Sequence, residues 1–448
     1  MKGARVAVVG GGLAGIAAAL ELADAGSSVT LYEARARLGG ATYSVRRKDH
    51  WIDNGQHVLL RCCTAYRGFL ARLGVEHLVP IQPRLRIPVL RENRPPAFLR
   101  RAPLPAPLHL VPTLLRYSPL RPRDRVNALR AAAALRQLDP ADERLDAQTF
   151  GEWLRAHGQS DAAVAELWNL ITLPTLNLPA SEGSLALATK VFRTGLLDAA
   201  DACDIGIPAV TLQRLHEDPA TTALAGAGVR VTLGAPVRGV AGTKVLLDGD
   251  SDDADAVIVA VPHESVARLV PAGAVDPDAL AGLGTSPIVN LHVHFDRRVL
   301  DERFAAAEAA SPLQWLFDRT EAAEVENGQL VSVSLSGAQA DIAEPLATLR
   351  ERYLPALERL LPAARRAEVL DFTATREPRA TFRAAPGTAR LRPGPRTTVP
   401  GLYLAGAWTN TGWPATMESA VRSGVAAAAA ARADLAQGHA HEAVEAVA

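Results

Sequence analysis

Val6 to Gly40 reads VAVVGGGLAGIAAALELADAGSSVTLYEARARLGG. Val6 to Val9 is a short valine-rich run without charge, which suits the first buried strand of a parallel α/β sheet. The chain turns through Gly10, Gly11 and Gly12 and returns from Leu13 to Ala25 as an alanine-rich helix. In the pattern Gly10-x-Gly12-x-x-Gly15 the first glycine permits the tight turn, the second lets backbone approach a pyrophosphate, and the third lets helix and strand pack closely. Leu13 and Ala14 open the helix, whose N-terminal N–H groups and positive dipole end suit phosphate. Ser28 to Tyr32 reads as a second strand, and Glu33 ends it, roughly 20 residues on, where an acid meets ribose hydroxyls. An acid there favours an unphosphorylated ribose. Strand, turn, helix, second strand and terminal acid agree, so the segment is read as a dinucleotide site. A signal peptide, suggested by Lys2 and Arg5 ahead of an apolar stretch, is opposed by three consecutive glycines, by Glu21 and Asp24, and by the lack of a small-residue cleavage site.

The far end of the chain, GLYLAGAWTNTGWPATMESAVRSGVAAA (Gly401 to Ala428), supplies the second half of such a site. Thr416, Met417 and Glu418 precede an apolar helix expected from Ser419 to Ala431 and ending near Arg432. N–H groups at that helix start would stabilise negative charge on a reduced flavin ring. A phosphate loop paired with this segment points to FAD as the cofactor.

At 448 residues the chain exceeds what one core organises, so two domains are expected. Formal net charge is zero, which gives no sign of nucleic-acid binding. Cys62, Cys63 and Cys203 form neither a spaced metal set nor a C-x-x-C, so a reducing cytoplasm fits and no metal is expected. No charge-free apolar stretch of about 18 residues predicts a membrane span.

Between the two ends the composition changes twice. From about Pro80 to Arg125 prolines and arginines are dense, and prolines 103, 105, 107, 112 and 119 forbid a long helix within Leu104 to Leu120. Three readings stay open: a loop system covering a cavity, a segment resting on a membrane interface with Arg116, Arg121, Arg123 and Arg125 toward lipid phosphates, or a connection packed on its own domain. Helices are expected at Asp124 to Gln137 and Thr149 to Ala156. Gly228 to Val240, Lys244 to Leu247 and Ala256 to Val261 are read as strands re-entering the nucleotide sheet. Pro287 to Phe295, Leu313 to Phe317, Leu330 to Leu335 and Glu368 to Thr373 are read as a second sheet, with a helix at Pro345 to Leu361. The expected fold is α/β, a Rossmann-like FAD-binding domain (1–80, 205–285 and 390–448) interleaved with an α+β substrate domain (81–204 and 286–389).

The N-terminal loop, Glu33 to Gly40, and Ala405-Gly406 to Gly424 resemble the amine oxidase and phytoene desaturase superfamily of flavoproteins. Within it, Asp53-Asn54-Gly55-Gln56-His57-Val58-Leu59-Leu60, with Cys62-Cys63-Thr64 and Thr411 to Glu418, resembles the squalene-associated branch, the hydroxysqualene dehydroxylases. The resemblance implies that Glu33 and the adjoining Ala34 meet the adenosine ribose, Arg37 the FAD phosphates, and backbone near Val237 the adenine. Gly39, Gly40, Gly55 and Gln56 would lie along the flavin, and Gly406, Trp408, Thr416 and Met417 would complete the cofactor set. Ala41 stands where many amine oxidases follow the double glycine with arginine, Pro287 to Phe295 lacks their lysine, and Thr416 replaces a frequent tyrosine. Amine chemistry is therefore disfavoured.

The branch implies reductive removal of the hydroxyl of hydroxysqualene, giving squalene for hopanoid or related synthesis. The competing expectation is an isoprenoid desaturase using oxidised FAD, and a third is a flavin-stabilised carrier without turnover. For the dehydroxylation a proton donor is required: His57 is the first candidate, since it titrates near neutral pH, and Asp53 the second. An equal alternative is that His57 only bonds backbone or cofactor. His292 and His294 point to one strand face and are read as ordinary core or cavity lining. Trp408 and Trp413 are candidates for cavity walls, and His439 and His441 are read as solvated. The expected partners are an apolar isoprenoid and, through the family, squalene-pathway enzymes, in the cytoplasm or at the inner face of the cell membrane.

Overall fold

The computed structural model describes residues 3–445, with side chains to residue 437. Its principal elements, in chain order, are β1 (Arg5–Val9), α1 (Leu13–Asp24), β2 (Ser28–Glu33), α2 (Thr64–Arg72), β3 (Arg86–Arg91), β4 (Arg94–Arg100), α3 (Val111–Arg116), α4 (Pro122–Leu135), β5 (Arg230–Leu233), β6 (Ala256–Val259), β7 (Ser286–Phe295), β8 (Phe304–Ala307), β9 (Trp315–Asp318), β10 (Gln329–Ser336), α5 (Leu346–Leu360), β11 (Val369–Thr381), β12 (Leu402–Leu404) and α6 (Met417–Glu445).

Five strands form a sheet in the order β12-β6-β1-β2-β5, every neighbouring pair parallel. Both of its faces are covered, which is why β1 and β6 are almost wholly apolar and buried. One cover is the pair α1 and α6. They cross so closely that a Cβ on Gly424 would lie 2.1 Å from the Ala14 carbonyl oxygen, so no larger residue fits there. The alanines on both helices permit this approach, and Ala14, Ala17, Ala18, Ala427, Ala428 and Ala431 are buried in one cluster with β1 and β2. α6 runs well past Arg432, where it was expected to end; the alanine run offers nothing that would stop a helix.

A second sheet has the order β11-β7-β10-β9-β8-β3-β4 and is mixed, with β3 and β8 parallel and the other pairs antiparallel. Its hairpin β3–β4 falls in the proline- and arginine-dense stretch from about Pro80, where no strand was expected. Pro95 and Pro96 are tolerated because β4 is the outermost strand and its pairing with β3 shifts register between Val89 and Arg91, so neither proline stands opposite a paired residue. Alternation splits this sheet into two chemical faces. Val289, Leu291, Val293, Val331, Val333 and Leu335 pack against Leu349, Tyr353 and Leu357 of α5. The opposite face carries Asn290, His292, Ser332, Ser334 and Thr375, which the register sets side by side.

The fold is α/β, a Rossmann-like parallel sheet interleaved in sequence with an α+β region. One expectation fails in detail. Gly239–Ala241 and Lys244–Leu246 do not re-enter the parallel sheet but join Ser251–Asp253 in a separate three-stranded antiparallel sheet. Turns as short as Gly242-Thr243 can join only antiparallel neighbours.

Candidate active site

All five strands of the parallel sheet end on the same edge, and the candidate cofactor residues lie on the loops that leave it. Gly10 to Gly12 follow β1, Ala34 to Gly40 follow β2, and Gly406 and Trp408 follow β12. The loop from Gly234 to Val237 follows β5, where Ala235 N donates to Glu33 O at 2.9 Å. Glu33 is buried, and its two carboxylate oxygens accept from Gly11 N at 2.7 Å and Arg35 N at 2.8 Å, which ties the second loop to the first. Arg37 donates to the carbonyls of Leu38 and Gly40, both at 3.2 Å, and its guanidinium lies 3.9 Å from the Tyr43 ring centroid. Its pKa is lowered, chiefly by burial and then by Arg35. Trp408 is buried and donates from Nε1 to Val261 O at 2.9 Å, so it packs under the loop after β6. Thr416 caps α6, its Oγ1 accepting from Ser419 N at 3.2 Å, while Met417 packs on the α1–α6 cluster. Glu418 reaches away to cap α2, accepting from Tyr66 N at 2.7 Å.

The turn from Asp53 to His57 packs against the polar face of the second sheet. Asp53 and Arg319 form a buried ion pair at 3.0 Å, each side chain 6% exposed. Asp53 also accepts from Ser44 Oγ at 2.6 Å and Leu212 N at 3.0 Å, and Arg319 donates to Pro208 O at 2.7 Å. Asn54 is anchored by donation to Ala41 O and to Glu377, and its own carbonyl accepts from Asn290 Nδ2 at 3.1 Å and Thr375 Oγ1 at 2.9 Å. The donor at Asn54 O must be the amide nitrogen of Asn290, so Asn290 Oδ1 faces elsewhere, buried and without a partner. A Cβ placed on Gly55 would lie 3.3 Å from the His57 ring and 3.5 Å from Asn290 Nδ2, which makes these three neighbours.

His57 is set with Nδ1 at 3.1 Å from Gly55 O, leaving Nε2 for other chemistry. The ring is partly exposed only because it lines a crevice; it is deeply surrounded by protein, and this burial lowers its pKa below the ordinary 6.5, opposed by the Gly55 carbonyl and Asp53. Asp53, Gln56, Val58, Leu212, Phe317 and Arg319 share that crevice with it. A second crevice, also bordered by Asp53, Gln56 and Arg319, reaches His292 and Ser332. Thr375 gives its hydroxyl proton to Asn54, so His292 Nε2 must donate to Thr375 Oγ1 at 3.2 Å and Nδ1 accept from Ser332 Oγ at 2.9 Å. His292 is thus a satisfied neutral imidazole, its pKa pushed down to about 3 by burial and Arg319.

Residues 13–432 match the family described as flavin containing amine oxidoreductase. The chain belongs to that family. It is 31% identical over 448 residues to a hydroxysqualene dehydroxylase of Rhodopseudomonas palustris, covering 94% of this chain and 97% of that protein. It is also 26% identical over 454 residues to a 15-cis-phytoene desaturase of Narcissus pseudonarcissus, covering 94% and 78%. In fold it is similar to the crystal structure of an oxidoreductase from Methanosarcina mazei, with a TM-score of 0.73 at 20% identity over 94% of this chain and 98% of that one. This flavin family member is an FAD-dependent oxidoreductase.

The geometry of the flavoenzyme's loops fits FAD. A Cβ on Gly12 would meet no protein atom nearer than 3.7 Å and would instead fill the space beside the turn, whereas one on Gly15 would lie 1.9 Å from Gly10 O. The first keeps the cradle open and the second lets α1 close on β1. Among the described residues no group of three or more His, Cys, Asp and Glu side chains could hold a metal. The side chains of His439 and His441 lie outside the described residues.

Motif reading missed Arg319, Asn290, Ser332, Thr375 and Glu377. One signal was present: Ser332-Val333-Ser334-Leu335-Ser336 alternates serine with aliphatics, the mark of a strand with one core face and one polar face.

Proposed function

We propose that this oxidoreductase reductively dehydroxylates hydroxysqualene to squalene, within squalene or hopanoid biosynthesis. The observation that carries the reading is the gradient along one face of the second sheet. Asn290, Thr375, His292 and Ser332 lie at one end, beside the Gly55–His57 turn. Phe304, Trp315 and Phe317 continue the same face as a stacked ladder, with centroids 6.1 to 6.4 Å apart. A long apolar chain bearing one hydroxyl matches a wall with a few polar groups at one end and aromatic surface at the other.

Bound FAD, when reduced, would supply the hydride that replaces the hydroxyl. Glu33, Ala34, Arg37, Gly39, Gly40, Val237, Gly406, Trp408, Thr416 and Met417 would hold it with the Gly10–Gly15 turn, and Gly55 and Gln56 would border its ring. His57 Nε2 would protonate the leaving hydroxyl, and the unpartnered Oδ1 of Asn290 would accept a hydrogen bond from it. Every hydrogen bond at Asp53 is one it accepts, an arrangement that suits orienting the turn through Arg319 in place of proton donation. The aromatic ladder would exclude water from the reacting carbon.

Similarity to a phytoene desaturase favours a second reading, isoprenoid desaturation with oxidised FAD. Anaerobic incubation of the pre-reduced holoprotein with hydroxysqualene separates the two. Squalene formed with flavin reoxidation is the expected result. No squalene from reduced protein, together with flavin bleaching of the oxidised protein by a saturated isoprenoid, would establish desaturation.

A further inference from the structure

The stretch from Asn93 to Arg123 carries six arginines and no acidic residue, in a chain whose formal net charge is zero. Within it the 3-10 turn Leu108–Leu110 runs directly into α3. This short helix is apolar on both sides. Its inner side sends Leu114 into the core with the following Tyr117 and Leu120, in one cluster with Phe304 and Phe317. On the outer side Leu108 is 53% and Leu115 48% exposed, with Pro112 half-buried between them at helical spacing and Leu104 42% exposed nearby. Val126 of the neighbouring α4 is 43% exposed, and Arg125 of that helix donates to Leu115 O at 3.0 Å. Arg116, Arg121 and Arg123 stand exposed around this patch.

Leucines on the outer side of a segment whose inner side is already packed in the core are suited to an apolar medium, and here the outer medium is left open. Basic residues around inserting leucines suit phosphate headgroups at a bilayer surface. A second copy of the same face fits poorly, because a two-fold contact would set arginine cluster against arginine cluster. Among the described residues no helix is long and apolar enough to cross a membrane, so contact would be with the surface. We propose that the face formed by Leu104, Leu108, Leu115 and Val126, ringed by Arg116, Arg121 and Arg123, docks this enzyme on anionic lipid bilayers. The proposal is independent of which substrate the enzyme takes.

The test is co-sedimentation of the holoprotein with vesicles of phosphatidylcholine plus phosphatidylglycerol and with vesicles of phosphatidylcholine alone. The expected result is binding to the anionic vesicles that weakens as salt is raised. The triple variants L104S/L108S/L115S and R116Q/R121Q/R123Q should each lower the partition coefficient about tenfold or more, with flavin absorbance and Tm unchanged. No binding, equal binding to neutral vesicles, or equal binding by the variants would overturn the proposal. So would leucine-dependent self-association without vesicle binding, which would make the face a protein interface.

Discussion

Nδ1 of His57, held by the carbonyl two residues back, leaves one nitrogen free, and burial around the ring decides when that nitrogen carries a proton. Because the charged form is disfavoured, the imidazolium is populated only below the ordinary His pKa of 6.5. If His57 is the proton donor, the single-turnover rate from reduced holoprotein is highest at low pH and falls as pH rises, with a midpoint below 6.5. His57→Gln should abolish that dependence and slow the step about 100-fold. A flat profile in the unaltered protein, or an undiminished rate in the variant, would assign the proton elsewhere. His57 was legible in the sequence because it sits in a local motif. Asn290 was not, since an orphaned amide oxygen exists only once Asn54 O has claimed the other end of the side chain.

At the level of elements, the buried ion pair of Asp53 with Arg319, which lies just beyond β9, ties the Asp53–His57 turn to the second sheet. Arg319 also satisfies the carbonyls of Pro208 and Val210, so one guanidinium joins three chain segments. Arg319→Met should leave Asp53 buried without its counter-charge, at a cost of about 3–5 kcal/mol in unfolding free energy. Denaturant unfolding of the holoprotein measures it, and a loss below about 1 kcal/mol would show that water replaces the guanidinium. The elements themselves were unevenly legible. β1, α1 and β2 announce themselves because strand, turn and helix are contiguous and apolar periodicity is strong. The β3–β4 hairpin was hidden because Pro95 and Pro96 need an edge strand and a break in the ladder, and neither is a local property.

For the whole molecule, His216 and His292 are two of the buried histidines that oppose acid. His216, whose Nε2 shares a hydrogen bond with Tyr66 Oη at 2.6 Å, and His292 both have pKa values pushed down to about 3 by burial. The unfolded chain binds these protons near 6.5 and the folded one only near 3, so their stabilisation is complete above 6.5 and is lost as pH falls toward 3. Each group contributes a slope of up to about 1.4 kcal/mol per pH unit in that window. Unfolding free energies measured from pH 7 to 4 should fall accordingly, and His216→Leu should remove part of the slope; an unchanged slope would mean that His216 takes up a proton in the native state. By itself the sequence determined the nucleotide-binding turn between β1 and α1, the return strand β2 and the flavin family, because these rest on short motifs of residues close in the chain. Only the tertiary structure decided which face of the second sheet meets the Gly55–His57 turn, that Arg319 neutralises Asp53, and that Leu108 and Leu115 stay exposed. Those outcomes depend on burial and on partners more than a hundred residues apart, and a side chain's environment is written in the packing and not in its neighbours along the chain.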